Sequence, residues 1–273
     1  MNSIPDIKPD QSIELLKELH ILTREGKLNQ DSRRKLKQVY HLFNFIEPLL
    51  KELDQEGKPY NLVDHGAGKS YLGFILYDLF VKKSSQGRIV GIETREDLVK
   101  KSEALARKLQ FERMAFHHLS VEESITSNKL PEVTDIVTAL HACDTATDDA
   151  IRFALEKQAR YVVLVPCCQA EVASVLRKNK GKNLAKSVLT EIYRHPIHTR
   201  EFGSHMTNVL RCLELESRGY QVTVTELIGW EHSMKNELII AQFKDLPRQH
   251  PRQRLEKLIQ DLNLEELSFR YLG

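Results

Sequence analysis

The chain has 273 residues, enough for one large α/β domain or one domain with an appendage. Hydrophobic residues make up 41% and no run approaches the apolar length of a spanning helix, which argues against a helical membrane protein. A formal net charge of +2 neither demands nor excludes nucleic acid.

The N-terminus, Met1-Asn2-Ser3-Ile4-Pro5-Asp6, lacks a basic stretch followed by an apolar core. No secretory signal is expected, and the location predicted is cytoplasmic. The four cysteines, Cys143, Cys167, Cys168 and Cys212, form no C-x-x-C pair and are expected to be reduced. No metal site is expected from their spacing.

Residues 1–56 read as an N-terminal helical extension. Leu15, Leu16, Leu19 and Ile21 mark an apolar face. Val39, Leu42, Phe43, Ile46 and Leu49-Leu50 mark a second at mixed three- and four-residue spacing. Asn29-Gln30-Asp31-Ser32 separates the two and supplies a cap, and Pro48 invites a kink.

From residue 57 to 246 strands and helices alternate. Strands are predicted at Asn61–Asp64, Arg88–Glu93, Met114–Leu119, Asp135–His141 and Tyr161–Pro166. Helices are predicted at Tyr71–Lys82, Arg95–Leu109 and Ala146–Lys157. That rhythm implies a doubly wound, mostly parallel sheet. Residues 169–204 break it with a helix at Gln169–Arg177 and polar loop at Arg194–Gly203. An insertion here overlies the carboxyl edge of the sheet, where open α/β sheets bind ligands. Thr207–Arg218 reads as a helix ended by Gly219. Gln221–Leu227 and Glu237–Phe243 follow one another without a helix and read as an antiparallel pair. The tail, residues 247–273, carries a basic helix.

The richest stretch is Leu62-Val63-Asp64-His65-Gly66-Ala67-Gly68-Lys69-Ser70-Tyr71-Leu72. It reads as a buried strand, a sharp turn and a helix start. Gly66 and Gly68 let the backbone approach a ligand because neither carries a Cβ. Glu93 ends the second strand, where a carboxylate accepts hydrogen bonds from ribose hydroxyls. A P-loop would need glycine where Val63 stands. A dinucleotide fingerprint, and with it a dehydrogenase, would need a third glycine where Tyr71 stands.

Asp64, Gly66, Gly68 and Glu93 resemble the first two motifs of class I S-adenosylmethionine-dependent methyltransferases. The resemblance implies a seven-stranded, Rossmann-like sheet closed by an antiparallel hairpin, and S-adenosylmethionine held at Asp64, Gly66, Ala67, Gly68, Glu93, Thr94 and His141. Asp64 beside the glycine turn suits the cofactor's ammonium.

The ends of strands four and five, His141-Ala142-Cys143-Asp144 with Asp148, and Pro166-Cys167-Cys168-Gln169, are expected to face the same crevice. The His-x-Cys-x4-Asp and Pro-Cys-Cys patterns look like those of a methyltransferase branch shared with one type of tRNA 2′-O-ribose methyltransferase. His141, Asp144, Cys167 and Cys168 are the candidate catalytic residues. An imidazole has a suitable pKa for a general base, while burial against backbone is the ordinary alternative for His141. Asp144 and Asp148 also suit a capping role at the next helix. In the tRNA enzymes a histidine stands where this chain has Gln169, an amide unable to take a proton.

Arg194, His198, Arg200 and His205 are candidate acceptor contacts. Trp230 suits stacking on a base or anchoring of the last hairpin. RNA is the expected acceptor. A protein side chain, a small molecule, or a non-catalytic cofactor-binding scaffold are the alternatives. The oligomeric state is left open.

Overall fold

A computed structural model describes residues 7–140, 142–167, 169–179, 181, 188–227 and 237–273. The chain begins with α1 (Ile13–Glu18) and α2 (Gln30–Gln55), then β1 (Tyr60–His65) and α3 (Tyr71–Leu76), which runs on through a wider turn at Tyr77–Val81. Next come β2 (Gly87–Glu93), α4 (Glu96–Lys108), β3 (Met114–His118), α5 (Val121–Thr126), β4 (Ile136–Leu140), α6 (Thr145–Glu156) and β5 (Tyr161–Val165). After α7 (Glu171–Lys178) and a tight helical stretch, Val188–Arg194, follow α8 (Pro196–Ser217), β6 (Tyr220–Glu226) and β7 (Glu237–Phe243). The C-terminal part is α9 (Gln249–Asp261), a short turn at Glu265–Leu267 and α10 (Ser268–Tyr271).

The seven strands form one sheet in the order β3-β2-β1-β4-β5-β7-β6. β1 to β5 run parallel, and β7 inserts antiparallel between β5 and β6. This is the expected doubly wound sheet with its closing hairpin. Strand order reverses between β1 and β4, and the crevice at such a switch point is where ligands bind in these sheets.

Alternation along the central strands supplies two separate cores. Leu62, Ile89, Ile136 and Val163 pack on one face with α1 to α4. Val63, Val90, Val137 and Val162 pack on the other with α6 and Leu215 of α8. Apolar residues on both faces are the signature of a parallel sheet covered on both sides. α1 is tied down further by Asp78, whose carboxylate accepts from the Ser12 amide at 2.7 Å and from the Gln11 side chain. A third cluster joins α7, α8, α9 and α10 through Val172, Leu210, Leu255 and Tyr271.

Three elements differ from the sequence reading. The extension is not continuously helical: residues 19–29 turn back through a Leu22–Leu28 bridge, and Asn29 caps α2 by accepting from the Ser32 amide at 2.8 Å. Pro48 lies inside α2 without ending it. The stretch Arg194–Gly203, expected as polar loop, is mostly the first turns of α8, with Pro196 at the helix start, where its missing N–H costs nothing. Its polar residues concealed a three- and four-residue period of Thr199, Gly203, Thr207 and Leu210, all buried. Gly203 is required there, since a Cβ would lie 2.6 Å from the Ala173 backbone of α7. The short α5 was missed, although Ser120 and Glu123 form a capping box at its start.

Candidate active site

The cofactor side of the site is built from backbone conformation. β1 ends in Asp64 and His65, and the chain then turns through Gly66 (φ +68°) and Gly68 (φ +58°), left-handed values that glycine adopts without strain. Ser70 follows at φ +50° and is fully buried. A non-glycine residue in that region is held there at a cost, and such residues concentrate at ligand sites. The turn is fixed by Ala67 N–H to Ile92 C=O at 2.9 Å and Ser70 N–H to Ala67 C=O at 2.7 Å.

Asp64 sits under this turn, almost fully buried. Its carboxylate accepts from Thr138 Oγ1 at 2.9 Å and Ser70 Oγ at 3.2 Å. Thr138 is its register partner on β4. Burial raises its pKa to about 6 against the hydroxyl hydrogen bonds that oppose the rise. A buried carboxylate with two hydroxyl donors, and no cation on it among the described residues, suits an ammonium group. His65 faces the other side of β1, with its ring 5.4 Å from that of Phe153. Burial lowers its pKa to about 4, so the imidazole is neutral at neutral pH.

Glu93, at the end of β2, reaches across to the turn. Its Oε2 accepts from Gly68 N–H at 2.7 Å, and its Oε1 accepts from the Arg95 backbone at 3.0 Å and Arg95 Nε at 3.1 Å. Thr94 Oγ1 donates to the same Oε1 at 3.3 Å. Burial pushes the carboxyl up, but the hydrogen bonds from Arg95 and Gly68 outweigh it and hold the group below its ordinary range. The Arg95 side chain is 64% exposed, so its grip on Glu93 is a surface interaction that a ribose hydroxyl can displace cheaply. The residues expected to hold the cofactor, Asp64, Gly66, Ala67, Gly68, Glu93 and Thr94, therefore converge on one turn, and its two carboxylate acceptors suit an ammonium at one end and ribose hydroxyls at the other.

The acceptor side adjoins it. A Cβ on Gly66 would lie 3.7 Å from the Ala142 side chain, so the loop after β4 abuts the glycine turn. Beyond Ala142, Cys143 Sγ lies 3.2 Å from Cys167 Sγ across the ends of β4 and β5. Asp144 has the unusual backbone angles φ +50° and ψ −124°. Its side chain does not cap α6. Instead Oδ1 accepts from the Ala170 and Glu171 amides at 3.0 and 3.3 Å, tying the loop after β5 to the loop after β4.

That arrangement is held from behind by α8. Arg211, fully buried, makes a two-pronged ion pair with Asp148 at 2.7 and 2.8 Å and donates to the Asp144 carbonyl at 2.8 Å. Burial lowers the guanidinium pKa, but hydrogen bonds and charge from Asp148 more than restore it. Asp148, expected near the reaction centre or as a helix cap, is thus the buried counter-ion of Arg211. Gln169 is likewise turned toward α8: its Nε2 donates to Asn208 Oδ1 at 2.8 Å and its Oε1 accepts from Ser204 Oγ at 2.9 Å.

A family model described as a methyltransferase domain matches residues 34–175, a little over half of the chain. The chain belongs to that family. What it carries is therefore a methyltransferase domain. Among curated proteins it is similar to glutathione S-transferase C-terminal domain-containing protein homologs of Drosophila melanogaster and Drosophila pseudoobscura pseudoobscura. They are 23% and 22% identical over 231 residues, or 77% of this chain. The chain spans a little over a third of the length of these relatives, 37% and 36%. Among solved structures it is similar to magnesium protoporphyrin IX methyltransferase from Synechocystis with bound SAH. That likeness has TM-score 0.47 and 12% identity, and covers 85% of this chain and 95% of the other.

Of the residues expected to contact the acceptor, Arg194 and His198 line one open hollow with His195 and Phe202, while Arg200 and His205 are exposed on α8. Arg194 pairs with Glu191 at 2.9 Å and Arg200 with Glu201 at 2.8 Å, all on exposed side chains. His198 meets His195 edge to face at 5.1 Å, and His205 is exposed on α8. Lys178, in the basic cluster after α7, pairs with Glu266 at 2.6 Å. His141, Cys168 and Trp230, with Lys180 and Lys182, lie outside the described residues. Among the described residues no helix is long and apolar enough to cross a membrane, and no group of His, Cys, Asp and Glu is arranged to hold a metal ion. Sequence reading missed Ser70, Thr138 and Arg211, while Asn208, expected among the acceptor-side donors, is found on Gln169. Ser70 was open to detection as the hydroxyl following Asp64 by six, but the others touch the site through long-range contacts that no local pattern signals.

Proposed function

We propose that Asp64, Gly66, Ala67, Gly68, Glu93 and Thr94 hold S-adenosylmethionine, and that the acceptor is RNA entering over the ends of β4 and β5. When bound, the cofactor supplies a methyl group on a sulfonium. Asp64 attracts the ammonium from beneath the turn, and Glu93 accepts hydroxyl hydrogen bonds as Arg95 swings to solvent. Positioning of this kind is the main contribution to an in-line displacement. Asp144 and Cys167 stand on the acceptor side; His141, as the base where the acceptor must lose a proton, and Cys168 complete the proposed catalytic set. Gln169 cannot take that role, because an amide binds no proton at neutral pH and this one is already committed to α8.

The observation that carries the RNA reading is the course of α8. Its Ser204 and Asn208 touch Gln169 at the crevice, Arg200 lies one turn before Ser204 on the same side of the helix, and His198 and Arg194 are exposed near and just before the helix start. Helical rise puts Arg200 about 12 Å along the axis from Asn208. The glutamates now on Arg194 and Arg200 form exposed pairs of little strength, so phosphates can replace them. The similarity of the Pro-Cys-Cys and His-x-Cys-x4-Asp motifs to a tRNA-modifying branch supports the same acceptor.

The test is transfer of label from methyl-labelled S-adenosylmethionine into fractionated lysate of cells lacking the protein. Label is expected in RNA, absent with Asp64→Ala, and reduced with Arg194→Glu/Arg200→Glu in a salt-dependent manner. Label in protein or small molecules, unaffected by those charge reversals, would overturn the RNA acceptor. One observation favours that second reading: Glu191 and Glu201 alternate with the arginines and leave the track only weakly basic.

A further inference from the structure

Cys143 and Cys167 follow the ends of different strands and are separated by all of α6 and all of β5 in the sequence. Their sulfurs nevertheless lie 3.2 Å apart, and Cys143 is exposed. β4 and β5 are adjacent and parallel, with Leu140 in register with Val165. The two cysteines therefore follow the strand ends by three and two residues, at the spacing between neighbouring strands. A disulfide needs the sulfurs to close by only about 1 Å from here. The loops that carry them are already joined by Asp144 Oδ1, so bond formation requires no hinge motion.

We propose that Cys143 and Cys167 are a reversible dithiol–disulfide pair whose oxidation by a peroxide closes the acceptor side of the methyl-transfer crevice. The closure rests on the reading of this edge as the acceptor site. In the chemistry, the Cys143 thiol ionises, its thiolate attacks hydrogen peroxide and cleaves the O–O bond, and the hydroxide that leaves takes up the released proton, giving a sulfenic acid and one water. The Cys167 thiol then attacks the sulfenic sulfur, the S–S bond forms and a second water leaves. Two electrons and two hydrogens pass from the thiols to the peroxide. An exogenous dithiol reverses the bond by thiol–disulfide exchange.

Exposure and a resolving neighbour are the features that single out redox-active cysteines. Cys212 provides the contrast within the same chain. It is half-buried on α8, and burial pushes its thiol up to about 12, which keeps it out of thiolate chemistry.

The experiment treats the full-length protein with hydrogen peroxide, alkylates remaining thiols and maps peptides by mass spectrometry. The expected product is a linked pair of peptides containing Cys143 and Cys167, lighter by two hydrogens, lost on dithiothreitol treatment and persisting in Cys168→Ser. Methyl transfer is expected to fall with linkage and return with reduction, whereas Cys143→Ser shows neither linkage nor the reversible loss. A link to Cys168 or Cys212, over-oxidation of Cys143 without a link, or no oxidation would overturn the proposal. The mass map needs neither cofactor nor acceptor. Failure of the acceptor reading would therefore show as linkage without loss of transfer, and failure of the dithiol as loss of linkage itself.

Discussion

The two sides of the crevice are held in different ways. The cofactor side lies mostly within about thirty residues of sequence, from Asp64 to Arg95, with Thr138 of β4 the long-range contact, and is shaped largely by left-handed glycines and backbone hydrogen bonds. The acceptor side is held by side chains that come from α8, with Arg211 reaching Asp148 and Asp144 across more than sixty residues. A turn fixed by local backbone forms wherever the sheet forms. A loop fixed by a buried ion pair depends on the whole of α8 being docked, so the acceptor side should fail first when the fold is perturbed.

Arg211→Met breaks this comparison most severely. Removing one partner of a buried pair leaves the other charge uncompensated, at a cost of about 3–5 kcal/mol. Urea unfolding should show that loss for Arg211→Met and recovery of most of it in Arg211→Met/Asp148→Leu. A single-variant loss under about 1 kcal/mol would mean that the pair does not hold α8. In the double variant, cofactor affinity should stay within about twofold of the wild type, because distant sites are nearly additive. Acceptor turnover should still fall, since the Asp144 carbonyl has lost its donor.

The same difference explains what could be read from sequence. Asp64, Gly66, Gly68 and Glu93 announce themselves because the turn is written in consecutive residues with a strand on either side. The seven-stranded sheet was legible for a similar reason, as its parallel strands are continuous apolar runs. Arg211 was invisible: it is a single cation in the helical run Val209-Leu210-Arg211-Cys212-Leu213, and only tertiary docking makes it the most buried charge in the site. Asp148 was visible and read as either a crevice carboxylate or a cap of the next helix, because sequence order cannot show that a carboxylate in the first turns of α6 faces α8. The polar residues of Arg194–Gly203 masked a helix whose period is carried by Thr199 and Gly203 rather than by large apolar residues.

Asp64→Asn sharpens the cofactor side. The buried carboxyl has a pKa of about 6, above its ordinary value, so the folded chain binds more protons than the unfolded chain between about pH 4 and 6. Ionised Asp64 therefore costs stability that grows as pH rises through this window. Without cofactor, Asp64→Asn should raise stability at pH 7.5 by about 1–3 kcal/mol, with the gain vanishing near pH 4. Cofactor affinity should fall at the same time, by isothermal titration, since the ammonium has lost its counter-charge. A variant that loses stability and keeps affinity would place the ammonium elsewhere.

The smallest expected effect comes from the residue beside it. His65 is buried with neither ring nitrogen hydrogen-bonded among the described residues, and its pKa is lowered to about 4. Here the unfolded chain binds the extra proton, so stability is lost as pH falls from about 6.5 to about 4. Asp64 and His65 therefore act with opposite sign in overlapping windows, and together they leave the acid limb of the unliganded protein nearly flat. His65→Leu removes a ring that makes no hydrogen bond there, and it should change stability little at pH 7.5. It should leave the variant more stable than wild type at pH 5, because the opposing Asp64 dependence is then unmasked. Thermal melts of wild type, His65→Leu and Asp64→Asn across pH 4.5 to 7.5 would test this directly. Parallel profiles for all three would show that neither group titrates with folding, and that the two sides of β1 are wetter than their burial implies.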